Sequence, residues 1–108
     1  MTVRELADRL SAEVLSLPDP DREVSGGYAG DLLSWVMGRA RAGCCWVTIM
    51  TNLNVPAVAS LADVACVIIA ESADTDPNVI SAAESKGINL LRMPDGVYGI
   101  CIALGKLI

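Results

Sequence analysis

The chain has 108 residues, 53% of them hydrophobic, with 8 basic and 13 acidic side chains, a formal charge of −5 and no histidine. That size and apolar content suit one folded domain and exclude a disordered chain. The acidic balance disfavours a nucleic-acid partner, whose phosphates need Lys and Arg, and the missing histidine excludes Ser–His and Cys–His catalysis and histidine metal ligation.

The elements follow in chain order. Thr2 and Glu5 form a T-x-x-E capping box, so a helix opens there with Leu6 and Leu10 on its apolar face. Glu13 to Leu17 reads as a short strand ending at Pro18, and Pro18 to Asp21 as a turn. Ser25 to Asp31, SGGYAGD, is rich in glycine and lacks apolar periodicity, so it is expected as a loop. Asp31 is the expected cap of a helix carrying Leu32, Leu33, Val36, Met37 and Ala40, with Gly43 as its stop. Cys44 to Met50 is a buried strand by its apolar, β-branched and aromatic content. Asn54 is expected to cap the next helix, with Pro56 in its first turn. Ala65 to Ala70 is a second buried strand. Asp76-Pro77 opens a helix that ends at Gly87. Ile88 to Arg92 is a third strand, and Val97, Ile100, Cys101, Leu104 and Ile108 recur at helical spacing, with Asp95 as a candidate cap.

Helix and strand thus alternate from Asp31 onward, and each strand is almost wholly apolar, as strands covered on both faces must be. The expected fold class is α/β: a three-layer α/β/α sandwich with a mostly parallel sheet, spanning residues 1–108 as one domain. The charge-free stretch from Ala42 to Ala62 is about long enough to span a bilayer, but Thr51, Asn52, Asn54 and Pro56 interrupt it, so no membrane span is expected. Cys44, Cys45, Cys66 and Cys101 form no C-x-x-C pair and lie in apolar runs. They read as reduced core thiols in a cytoplasmic protein, with metal or redox chemistry as the lesser alternative.

In a parallel sheet, ligands bind outside the carboxyl ends of the strands. The loops there, with the glycine run, supply the candidate ligand-binding residues Ser25, Gly26, Gly27, Tyr28, Asp31, Thr51, Asn52, Asn54, Glu71 and Asp95. Helix N-termini at Asp31, Asn54 and Asp76 offer N–H groups to an anion, but each has a capping side chain and acidic neighbours, which would oppose a phosphate without Mg²⁺. Three weaker patterns compete. The glycine run lacks the G-x-G-x-x-G spacing of a dinucleotide loop. Leu104-Gly105-Lys106 resembles the end of a phosphate loop, but Ile100 and Leu107 replace its glycine and its Ser or Thr. Glu71, Asp74, Asp76 and Asp95 are a conceivable cation cluster that is more simply a set of solvated loop acids. No cofactor and no metal site are expected. Trp35 lies off the apolar stripe of its helix, so it is the candidate interface residue.

Gly26 to Ala40, GGYAGDLLSWVMGRA, together with Trp46 to Glu71, WVTIMTNLNVPAVASLADVACVIIAE, is similar to small bacterial proteins of the DRTGG-domain group. The resemblance implies an α/β fold like the N-terminal domain of HPr kinase/phosphorylase, without the kinase domain. It implies a domain that occurs alone or joined to CBS domains and phosphotransacetylase. The group's Asp-Arg and Thr-Gly-Gly are replaced here by Thr51-Asn52 and Glu71-Ser72-Ala73, which marks a divergent branch. The function this implies is a non-catalytic regulatory or interaction domain, expected as a homodimer with no nucleic-acid partner. A sensor that binds a small metabolite or nucleotide at the strand ends is the alternative.

Overall fold

The capping box forms as the sequence requires. In the computed structural model, which describes residues 1–108, the Thr2 hydroxyl accepts from the Glu5 N–H at 3.2 Å and Glu5 accepts from the Thr2 N–H. It opens helix α1, Val3–Leu10. Strand β1, Glu13–Ser16, and strand β2, Gly26–Ala29, follow. A helix and then three strand–helix pairs complete the chain: α2 Leu33–Arg39, β3 Cys44–Thr48, α3 Asn54–Ala62, β4 Cys66–Ile69, α4 Pro77–Ser85, β5 Leu90–Arg92 and α5 Val97–Gly105.

The sheet order is β1-β5-β4-β3-β2. Strands β2 to β5 are parallel and β1 joins β5 antiparallel. Each crossover from β2 to β5 steps to the next strand in the same direction. Right-handed connections therefore place α2, α3 and α4 on one face. Alternate side chains of β3 and β4 separate the two cores. Trp46, Val67 and Ile69 pack with Val36, Val55, Val58, Val79 and Ala83 of α2 to α4. Cys45, Val47, Cys66 and Ile68 pack with Leu6 of α1 and Ile100 and Leu104 of α5. The expected three-layer sandwich with a mostly parallel sheet is the observed fold.

Four local expectations differ from the structure. The glycine run is not a loop: Gly26–Ala29 is an edge strand in register with Cys44 to Val47. Asp31 does not cap α2, whose N-cap is Leu32 without a side-chain bond. It accepts instead from the Thr48 hydroxyl at 2.8 Å and the Ile49 N–H at 3.0 Å, because Thr48 is wholly buried and its hydroxyl needs an acceptor. Leu53, not Asn54, is the N-cap of α3, and Gly96, not Asp95, that of α5. Asp76 does cap α4, accepting from the Asn78 N–H at 2.7 Å, and Gly87 leaves that helix with φ +73°.

Two polar ties hold the long β1–β2 connection. Asn89 is buried, donates to the carbonyls of Asp19 at 2.7 Å and Ala65 at 2.9 Å, and accepts from the Asp19 N–H at 2.9 Å. Arg22 donates to the Asp63 carboxylate and the Asp63 carbonyl, both at 3.0 Å.

Candidate functional site

Strand β2 is glycine-rich because of what packs on it. A Cβ at Gly27 would lie 2.9 Å from Leu104 Cδ2, so α5 approaches the sheet where that side chain is missing. Tyr28, one residue on, lies on the α2 side, partly buried against that core. Its ring crosses Gly30, where a Cβ would meet Tyr28 Cε2 at 3.2 Å. The Gly30 carbonyl accepts from the Trp46 indole N–H at 2.8 Å. As an edge strand, β2 leaves alternate peptide groups unpaired on its outer side.

Both cavities of the molecule border this strand. One, of about 280 Å³, lies toward α5 and is apolar, lined by Tyr28, Val47, Cys101, Leu104 and Ile108 beside the β2 backbone. The other, of about 290 Å³, lies toward α2 and carries the charged side chains, lined by Ser25, Gly26, Gly27, Tyr28, Arg39, Arg41 and Cys44. Neither arginine pairs with a carboxylate, since the three ion pairs of the molecule are Met1–Glu23, Arg22–Asp63 and Arg92–Glu13. Arg39 stacks on Trp35 with its guanidinium carbon 3.8 Å from the ring centroid.

The structure thus brings Ser25, Gly26, Gly27 and Tyr28 together around two clefts. It places the other candidates along the carboxyl edge of the sheet, where no cavity forms. The parallel strands run in one unbroken order, so there is no point of reversal at which the connections splay apart. The loops also bind one another. The Glu71 N–H donates to the Asp95 carbonyl and the Ser72 N–H to the Met93 carbonyl, both at 2.9 Å, with Glu71 and Ser72 both left-handed. Asn52 accepts from the Asn54 N–H, Asp31 holds Thr48, and Thr51 is half-buried. Glu71, Asp74, Asp76 and Asp95 do not converge as a metal-ligand group.

The charges beside Ser25 to Tyr28 are Arg39 and Arg41. Sequence reasoning missed both. A signal exists, because these two arginines are the only charged residues between Asp31 and Asp63.

The thiols belong to the core. Cys45 and Cys66 are partners in register on adjacent strands, and all four cysteines are free. The hydrogen bond with Cys66, then burial, push the Cys45 thiol well above its ordinary range, and burial raises Cys44. A raised thiol holds little of the reactive thiolate at neutral pH. A thiol reagent should therefore modify at most the half-buried Cys101 without denaturant, and all four cysteines once the chain unfolds. Rapid labelling of two or more native thiols contradicts this.

No helix is long and apolar enough to cross a membrane. No protein-family model and no curated protein matches the sequence. The geometry defines an α/β sandwich with its open clefts at an edge strand. Its fold is shared with the CBS and DRTGG domains of the regulatory region of Clostridium perfringens pyrophosphatase, a structure determined in complex with its activator, diadenosine tetraphosphate. The TM-score is 0.71 at 14% identity, covering 95% of this chain and 47% of that one. This chain therefore spans about half the length of its structural neighbour, and the likeness is one of fold.

Proposed function

We propose that this chain is a DRTGG-like regulatory domain that acts by binding rather than by turnover, as a symmetric homodimer in the cytoplasm. Two lines support the class. The residues from Gly26 to Glu71 resemble the DRTGG group, and the structural neighbour belongs to a regulatory region containing a DRTGG domain. The observation that carries self-association is Trp35. Its residue is 52% exposed on α2, next to Leu32 at 57%, so the apolar arc of that helix is wider than the core it covers. Tryptophan and arginine are the side chains most enriched at interface centres, and here they are already stacked. Closed two-fold dimers are the commonest assembly of soluble chains.

Sedimentation at micromolar concentration tests the reading. The wild type should sediment as a dimer. Trp35→Ala should weaken it by about 2 kcal/mol or more while leaving the monomer folded. A monomeric wild type overturns the dimer, and a dimer indifferent to Trp35→Ala overturns the choice of α2.

A second reading, ligand sensing, is favoured by the two clefts beside β2. It keeps Ser25, Gly26, Gly27 and Tyr28 as binding residues around those clefts. It keeps Asp31, Thr51, Asn52, Asn54, Glu71 and Asp95 as candidates at the carboxyl edge.

A further inference from the structure

We infer that the cleft between β2 and the end of α2 binds the phosphoryl group of a small compound, either a phosphomonoester or free phosphate. The inference rests on the ligand-sensing reading, and because Arg39 stacks on Trp35 the cleft adjoins the proposed dimer seam.

Four features meet there. Arg39 and Arg41 line the cleft with no carboxylate within 4.0 Å, in a chain whose net charge is −5. Two guanidiniums without a carboxylate partner at one cavity suit a doubly charged anion. A phosphomonoester carries about −1.5 to −2 at neutral pH, which a carboxylate does not match. Arg39 is held in place by its stack on Trp35, so less side-chain freedom is lost on binding. The Ser25 hydroxyl, at the rim, has only a long 3.4 Å bond to the Ala42 carbonyl and is free to reorient toward an oxyanion.

Gly26 is the fourth feature. Its backbone is ordinary, and a Cβ there would meet nothing within 4 Å. Neither conformation nor packing therefore requires glycine, in contrast to Gly27. Strand alternation turns position 26 away from α5, toward the arginine cleft, so a side chain there would occupy the cavity. The opposing influence is the C-terminus of α2, where the helix dipole is negative by about half a charge. Two full positive charges outweigh it. The cavity, about 290 Å³, is at the small end of ligand pockets, which limits the ligand to a compact one.

The test is a titration of the isotopically labelled chain at low ionic strength with inorganic phosphate, glycerol phosphate and glycerol, followed by amide chemical shifts. Saturable shifts are expected at Ser25 to Tyr28 and Arg41 to Cys44 with the phosphate compounds and not with glycerol. A response to both assigns the site to the phosphoryl group however it is carried, and a response to inorganic phosphate alone assigns it to the free ion. Arg41→Gln removes a side chain with no protein partner and should weaken binding roughly tenfold or more. Gly26→Val, which keeps both arginines and fills the cavity, should abolish it. Amide spectra of the unliganded variants verify their folds. No saturable shift in these two segments, or binding retained by both variants, overturns the site. Saturable shifts confined to Cys101 and Ile108 overturn it too, while leaving ligand sensing intact.

Discussion

Trp46→Ala is expected to lower the unfolding free energy by about 3–5 kcal/mol. The side chain is wholly buried at the centre of the core shared by β3, β4 and helices α2 to α4. Its removal leaves a cavity walled by side chains from several elements, which cannot all close in together. Its indole N–H also donates to the Gly30 carbonyl, so the substitution frees the end of β2. Natural domains are stable by only about 5–15 kcal/mol, so the variant should lie close to unfolding. Trp46→Phe keeps most of the volume and loses the hydrogen bond, and should be the milder of the two. Urea unfolding with an unchanged denaturant slope measures both; a loss under about 1 kcal/mol for Trp46→Ala contradicts the packing described.

Asn89→Asp is the second large effect. The substitution hardly changes the volume, but it replaces two N–H donors with an acceptor facing the Asp19 and Ala65 carbonyls. A buried carboxylate with no cation costs about 3–5 kcal/mol. The folded protein should therefore hold this carboxyl in its neutral form, with its pKa raised above the unfolded value of about 3.9. A raised carboxyl pKa means that the folded state binds more protons than the unfolded one between the two pKa values. The deficit relative to wild type should thus be smallest below about pH 4, grow as pH rises through the folded pKa, and then level off. Urea midpoints of both proteins from acid to neutral pH provide the comparison. A deficit independent of pH would show that the site takes in water or a cation.

The difference between these two residues shows what was legible in the sequence. Trp46 was, because a run such as CCWVTIM cannot be solvated and its composition marks a buried strand. The capping box at Thr2, the Asp76-Pro77 start and the Gly87 stop were also legible, since each acts on the backbone within a few residues. Asn89 was not, because its partners are backbone groups of Asp19 and Ala65, far away in the chain. Asp31 has the chemistry of a helix cap but is taken by the buried Thr48 hydroxyl. Strand β2 was hidden for a related reason. Gly-Gly-Tyr-Ala has little strand propensity, and the glycine at position 27 answers to Leu104, in the last helix.

The cleft residues were half legible. The glycine run stands out by composition, but the charges beside it come from residues more than ten positions further along the chain. Only the crossover from β2 to β3 brings Arg39 and Arg41 back beside it. The carboxyl-edge loops are candidates only by the general rule for parallel sheets. That rule places crevices where strand order reverses, and here the parallel order does not reverse.

Native mass spectrometry of the purified chain tests the central claim, that this domain works by binding, most directly. A species of two chains, each of 11.3 kDa, is expected to persist at micromolar concentration, with any retained small molecule resolved as added mass. A bare single chain of 11.3 kDa, with neither a partner copy nor a bound compound, would contradict it.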